Sequence, residues 1–338
     1  MSLPPSEVPQ GAIRFNTDSQ KLEFYAQGEW WVMSTDTPNL GRGVDSTPGA
    51  RGTFMGGHNE PDPSSTFDII DYVNIASTGN AVDFGNLQAA KQEANAFSSA
   101  TRGFYFGGDP GINVIDTFVF ASTSNATDFG DLTAVSKTGV GIANATRGIA
   151  YLGNSPAPTT SNVMNYVTMA TTGTAQDFGD NDIAKGANGA GCGSPTRGII
   201  ADGDSAGSNI VFFNIATTGQ STQVFGAQSQ ARGGMTGASN ATRGVFLGGF
   251  TPTAQKTIDY ITISTLGNAV NFGELNTANY YTAGSASATR AITGGGGSPF
   301  SNVIEYIEFA TEGNAVDFGD LTQKRRHLEG CSNGHGGL

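Results

Sequence analysis

The pair Arg-Gly returns along this chain with a spacing that fits a repeated unit better than a single irregular core. Aligning on it finds Arg51, Arg102, Arg147, Arg197, Arg243 and Arg290, the last followed by Ala291, at intervals of 51, 45, 50, 46 and 47 residues. A period of about 40–50 residues with strand-like content marks radially repeated sheets rather than helical solenoids. The composition agrees. Glycine accounts for 49 of 338 residues and charged residues for 14%, against a usual charged share of about 25%. Such a chain needs many tight turns and carries a surface of uncharged polar groups.

Events inside each repeat keep one order. A turn such as SSATRG (98–103) leads into a short apolar strand ending in glycines, FYFGG (104–108) or VFLGG (245–249). After a variable loop comes an apolar run: IIDYVNIAS (69–77), VIDTFVFAS (114–122), VMNYVTMAT (163–171), TIDYITIST (257–265) and VIEYIEFAT (303–311). These runs are β-branched or aromatic at most positions and predict strands buried on both faces. A Gly/Asn turn such as Thr78-Gly79-Asn80 then returns the chain through AVDFGNL (81–87) or NATDFGDL (125–132), a hairpin. With the segment before Arg-Gly, each repeat supplies four antiparallel strands, a to d from the axis outward. Six such units without helices predict an all-β, six-bladed β-propeller.

The glycine pairs Gly56-Gly57, Gly107-Gly108 and Gly248-Gly249, the strand-c aromatics Tyr72, Tyr166, Tyr260 and Tyr306, and the strand-d aromatics resemble the kelch repeat. The strand-d residue is Phe84, Phe129, Phe178, Phe225, Phe272 or Phe318 where kelch blades carry Trp. The resemblance covers about residues 40–338 and implies a fold, not an activity. The fourth repeat departs furthest: its strand c is one residue shorter and its strand d reads QVFGA, which predicts a bulge or a looser blade there. After Leu321, residues 322–338 repeat only the d–a connection and strand a. They are expected to close the ring by completing blade one beside residues 51–87.

Residues 1–36 stand outside the repeat. The string QGAIRFNTDSQKLEFYAQGEWWVMS (10–34) alternates apolar and polar residues like a small β-hairpin or meander. It resembles a module widely seen near the start of tail-fibre and baseplate-type structural proteins of tailed phages. Trp30 and Trp31, the only tryptophans, both lie in it. A sheet of two or three strands cannot bury two indoles alone, so both are expected to pack on the propeller or on another subunit. That makes residues 1–36 an attachment module, with residues 36–41 as linker.

The formal charge of −12 disfavours nucleic acid as a partner. The one basic cluster, Lys324, Arg325 and Arg326, reads as a solvated loop. No signal peptide or membrane span is expected, because no basic residue precedes an apolar core and no run of about 18 apolar residues occurs. Cys192 and Cys331 fall at matching places in different repeats and are expected to be free thiols. Asp83, Asp128, Asp177 and Asp317 head Asp-Phe-Gly triplets that recur once per repeat. They read as structure: Phe packs between blades, Gly permits a bulge and Asp caps a turn. His327, Cys331 and His335 have tempting spacing for a metal, yet on a strand fourth neighbours lie about 13 Å apart, too far to share one zinc ion. The six arginines read as side chains bonded to carbonyls of the neighbouring blade. No catalytic set stands out and no cofactor is expected, so the chain reads as a non-enzyme.

Two functions fit. One is a virion structural protein of a tailed phage, tail-fibre-like or an appendage, made in the host cytoplasm. It would bind other virion proteins or a host-surface glycan or protein, with possible oligomerisation through the N-terminal module. The other is an intracellular kelch-type protein-binding adaptor. A secreted carbohydrate-active propeller fits less well, since its catalytic set is missing. Contacts to a partner are expected in the b–c loops, which differ in length and chemistry while the a–b and c–d turns are nearly uniform. The candidates are His58, Asp62, Asp109, Asp204, Phe250 and Phe300.

Overall fold

A computed structural model of the chain describes residues 8–16, 21–32, 50–59, 65–155, 159–182, 187–203, 207–297 and 299–338. The chain divides into two compact units, Met1–Asp45 and Ser46–Leu338. Among the described residues every helix or strand is a strand, and the strands form seven sheets.

The first unit is an antiparallel meander of β1 (Ile13–Asn16), β2 (Lys21–Ala26) and β3 (Glu29–Val32). Phe24 pairs with both Ile13 and Trp31, and Phe15 with Leu22, so these five residues share one face. Ile13, Phe15, Leu22 and Trp31 on it are 63%, 58%, 41% and 49% exposed. On the other face the Glu23 carboxylate accepts from Arg14 and Asn16 at 2.8 and 2.9 Å. The Arg14 guanidinium lies 4.1 Å over the Trp30 ring, and Tyr25 meets that indole edge-on at 5.3 Å. The two tryptophans thus part company. Trp30 finds cover within its own sheet, contrary to the expectation that both need an outside partner, because adjacent strand residues point to opposite faces.

The second unit opens with β4 (Arg51–Met55), β5 (Ile69–Asn74) and β6 (Val82–Asn86). The second sheet is β7 (Asn95–Ser98), β8 (Arg102–Phe106), β9 (Ile112–Val119) and β10 (Thr127–Ser136). The third holds β11 (Val140–Ala143), β12 (Arg147–Tyr151), β13 (Val163–Thr168) and β14 (Gln176–Asp180). In the fourth repeat come β15 (Ala190–Gly193), β16 (Arg197–Ala201), β17 (Asn209–Asn214), β18 (Gln220–Ser221) and β19 (Gln223–Ala227). The fifth has β20 (Thr236–Ser239), β21 (Arg243–Leu247), β22 (Gln255–Thr262) and β23 (Val270–Asn279). The sixth has β24 (Ala283–Ala286), β25 (Arg290–Gly294), β26 (Val303–Glu308) and β27 (Val316–Asp320), and β28 (Glu329–Ser332) follows.

Each sheet is an antiparallel run in chain order, with two exceptions. β28 returns to pair with β4, Glu329 opposite Met55 and Ser332 opposite Gly52, giving the first sheet its fourth strand across the whole repeat array. β18 leaves its own sheet and adds in parallel to β14, so the third sheet has five strands. The bulge that the glycine of the Asp-Phe-Gly triplets permits, and that was also expected of the fourth repeat, occurs in all six: the c–d register slips at Ile70/Asp71, Asp128/Gly130, Met164/Asn165, Ile210/Val211, Ile258/Asp259 and Ile304/Glu305. The fourth repeat instead shows its difference in β18.

The inner strands β7, β11, β15, β20, β24 and β28 lie against one another in that order, and β28 lies against β7. Their middle residues are Ala96 and five glycines, among them Gly330, where an added Cβ would stand 2.6 Å from the Gly284 carbonyl. Only the smallest residues let six backbones approach this closely. Between sheets, the strand-d phenylalanines are buried in shared apolar clusters, as Phe129 is with Phe97, Phe104 and Met169. The bulge glycines admit the next c–d turn: a Cβ on Gly85 would sit 2.5 Å from the Ser124 carbonyl. That docking, not turn geometry alone, explains the recurring Thr-Gly-Asn-Ala. Asn80, Asn125, Asn268 and Asn314 accept from the strand-d backbone of the adjoining sheet at 3.0–3.1 Å. Asp83, Asp128, Asp177 and Asp317 are exposed and cap nothing, so the triplet owes its recurrence to Phe and Gly.

Each Arg-Gly arginine donates to a carbonyl at the end of strand c in the next sheet. Arg147 reaches Ile215, Arg197 reaches Ile263 and Arg243 reaches Phe309 at 2.6–2.7 Å, Arg102 reaches Met169 at 3.4 Å, and Arg51 bonds Phe120. Arg290 completes the cycle on Ile75 and Ala76 of the first sheet. Five of the six also lie over the strand-c aromatic, for example Arg290 at 4.5 Å from Tyr306. A charge-assisted bond of this kind contributes about 1.5–3 kcal/mol.

Buried ion pairs join the d–a connections to strand c: Lys91–Asp116 at 2.7 Å, Arg232–Asp259 at 3.0 Å and Arg325–Asp71 at 2.9 Å. Arg325 is 0% exposed, which corrects the reading of residues 324–326 as a solvated loop; only Lys324 is exposed.

Truncation after Leu321 removes β28 and Arg325 together, and we expect the melting temperature to fall by more than 10 °C, the scale set by several lost kcal/mol. A truncated chain that melts with the full-length protein would refute this role for residues 322–338. Arg197→Ala is expected to cost about 1–3 kcal/mol in chemical denaturation.

Candidate functional site

Nine residues before Arg102, Arg147, Arg197, Arg243 and Arg290 stand Glu93, Thr138, Asn188, Gly234 and Tyr281, and His327 holds the same place ahead of β28. All six have φ between +54° and +64°. Five are not glycine, and left-handed backbone at such residues is disfavoured unless its surroundings enforce it. Here the enforcement is a cycle of backbone hydrogen bonds. Glu93 N–H donates to His327 O, Thr138 to Glu93, Asn188 to Thr138, Gly234 to Asn188, Tyr281 to Gly234 and His327 to Tyr281, at 2.7–3.1 Å.

The six residues line a recess at one end of the inner strands, about 380 Å³ counting the space open to solvent. Glu93 accepts from His327 Nδ1 and Lys137 Nζ, both at 2.9 Å, and Lys137 also holds Asp109 at 2.8 Å. Burial pushes the Glu93 carboxyl up, but the hydrogen bonds and charges of His327 and Lys137 outweigh it and hold it at about 2. Tyr281 and His327, which line the recess, belong to an arc of rings: Phe250 to Tyr280 at 5.2 Å, Tyr280 to Tyr281 at 4.9 Å, Tyr281 edge-on to His327 at 4.0 Å, and His327 to His58 at 5.2 Å. Glu329 also lines the recess without a salt-bridge partner, and burial pushes its carboxyl up to about 8.

Of the residues expected to contact a partner, four are described. Phe250, 39% exposed, stands at the outer end of the arc, and Asp109 belongs to the Lys137 cluster. His58 and Phe300 are buried, packed together at 5.4 Å, with Arg326 lying 4.8 Å over Phe300 and donating to His58 Nε2 at 3.4 Å. They buttress the wall. Burial, then the charges of His327 and Arg326, hold the His58 imidazole down at about 4. Asp62 and Asp204 lie outside the described residues. Sequence reasoning missed Glu93, Asn188, Tyr280 and Tyr281, because they sit in d–a connections rather than b–c loops. The constant offset of nine residues was the available signal.

At the opposite end a second recess, about 450 Å³, is lined by all six inner strands and His335. His335 Nε2 meets the Ser98 carbonyl at 2.7 Å, and Gly336 N–H donates to Ser239 O at 2.8 Å. Cys331 packs against Thr53 in the interior and His327 pairs with Glu93, so the three metal-like residues serve three separate places. Both cysteines are free and buried, and burial pushes their thiols up to about 12.

Glu329 binds its proton more tightly folded than unfolded, so stability is full below its ordinary value of 4.5 and declines as pH rises toward about 8. Thermal melts from pH 5 to 9 should show this fall, and Glu329→Gln should flatten it. Glu93 has the opposite sign: its contribution is present above 4.5 and is lost as pH drops toward about 2. No protein-family model matches the chain, and no curated protein matches it either.

Proposed function

We propose that the second unit is a closed six-bladed, kelch-like β-propeller, and that the protein is a non-enzymatic binding component of a tailed-phage virion. In this reading residues 1–36 attach it to another protein chain, and the face carrying the b–c loops and d–a connections meets a glycan or protein of the host surface or another virion protein. The observation that carries the propeller is the backbone cycle through His327, in which six equivalent residues of six sheets each donate to the one before. The virion assignment is supported by the likeness of residues 10–34 to phage tail modules and by the exposed apolar face of Ile13, Phe15, Leu22 and Trp31. A binding role is supported by the concentration of left-handed backbone and unlike side chains at one recess, where strain collects at functional sites. Glu93 is held by His327 and Lys137, which fixes that part of the wall, an arrangement suited to recognition.

Deleting residues 1–36 is expected to leave a folded protein melting within about 2 °C of the full chain yet unable to join its assembly, read by sizing and by incorporation into particles. Retained assembly would remove the attachment role. Replacing the loops at 109–113 and 250–256 by short Gly-Ser turns should abolish binding to the host surface or virion partner. Loss confined to changes in the a–b and c–d turns would place recognition on the other face.

A further inference from the structure

We infer that the recess ringed by the left-handed residues binds a neutral saccharide, with one sugar ring stacked on Tyr281. The inference deepens the proposed binding role and rests on it. Four observations lead there.

The first is what the recess cannot offer. The N–H and C=O groups that join the six ring residues satisfy one another in the cycle, so a peptide strand finds no row of free backbone groups to pair with. The second is charge. In a protein of net charge −12, this recess is locally compensated: Glu93 is held by His327 and Lys137, and Lys137 by Asp109. No Lys or Arg lines the recess itself, and Arg326 behind its wall lies over Phe300 and donates to His58.

The third is the platform. Tyr281 follows Gly234 in the ring, and a Cβ on Gly234 would stand 2.7 Å from Tyr281 Cε1. The missing side chain is what lets the phenol lie over its neighbour. With Tyr280 and Phe250 behind it, the ring presents an aromatic surface on one side of the recess only, although the scaffold repeats six times. Aromatic faces take up the apolar C–H side of a ligand while leaving its polar rim to hydrogen bonds.

The fourth is the polar set around that platform. The Asn188 side-chain amide makes no hydrogen bond and is not buried. The amide, with both donor and acceptor, and the Tyr281 hydroxyl form a mixed donor-acceptor rim. Vicinal hydroxyls on a ring that stacks are its complement.

The test uses the full-length protein and saturation-transfer NMR with the methyl glycosides of glucose, galactose, mannose and N-acetylglucosamine as probes. Transfer is expected to at least one, and to fall at least tenfold in Tyr281→Asn and in Asn188→Gly. Both variants keep left-handed backbone, since Asn and Gly already occupy equivalent places at Asn188 and Gly234, so melting temperatures should hold. Val270→Ala, which alters an exposed side chain on the outer strand β23, should leave transfer unchanged. Absence of transfer to all four sugars, or transfer that survives Tyr281→Asn, overturns the saccharide. If sugars fail while the loop replacements still abolish partner binding, the ligand class falls and the binding face stands.

Discussion

Everything in the larger unit hangs on six backbone hydrogen bonds that run head to tail through Glu93, Thr138, Asn188, Gly234, Tyr281 and His327. Each is an ordinary bond, contributing about 0.5–1.5 kcal/mol net. Their arrangement as a cycle is what matters, because every sheet is then positioned by two neighbours. The left-handed backbone at these places follows from that geometry. It also sets where side chains can gather, since the same six residues surround the recess.

Contacts between neighbouring sheets are reinforced at three further levels. Glycines in the inner strands bring six backbones together, phenylalanines and bulge glycines lock the outer hairpins, and the arginines tie the a–b turns to the adjoining sheet. The buried ion pairs lie between these layers. Such pairs are weak stabilisers taken whole, yet losing one partner typically costs about 3–5 kcal/mol. Lys91, Arg232 and Arg325 therefore act as register pins for the connections that enter each sheet, and the uncharged equivalents, Asn165 with Thr133 at 2.8 Å, show that hydrogen bonding alone can fill the role.

The repeat supplies symmetry and the recess breaks it. Near-equivalent positions carry an acid, a hydroxyl, an amide, no side chain, a phenol and an imidazole. Selection for packing alone would tend to make them alike, as it does the Arg-Gly arginines. The small N-terminal sheet follows another logic: one face is knit by Arg14, Glu23 and Trp30, and the other leaves its apolar side chains in water.

The sequence by itself determined the repeat, its four strands, the leftover strand around Gly330 and the arginine partnership, because each rests on local pattern recurring at fixed spacing. Of the residues drawn from the variable loops, Phe250 is exposed while His58 and Phe300 are buried. Tertiary structure alone decided that His58 and Phe300 face inward, that Arg325 is buried, and that β18 crosses to the third sheet, since each depends on a neighbour about 20 to 270 residues away. It alone brought Tyr281 and Asn188 to one rim. Their left-handed conformation is imposed by a bond cycle that exists only once six distant segments meet, and no local propensity of Tyr or His would announce it.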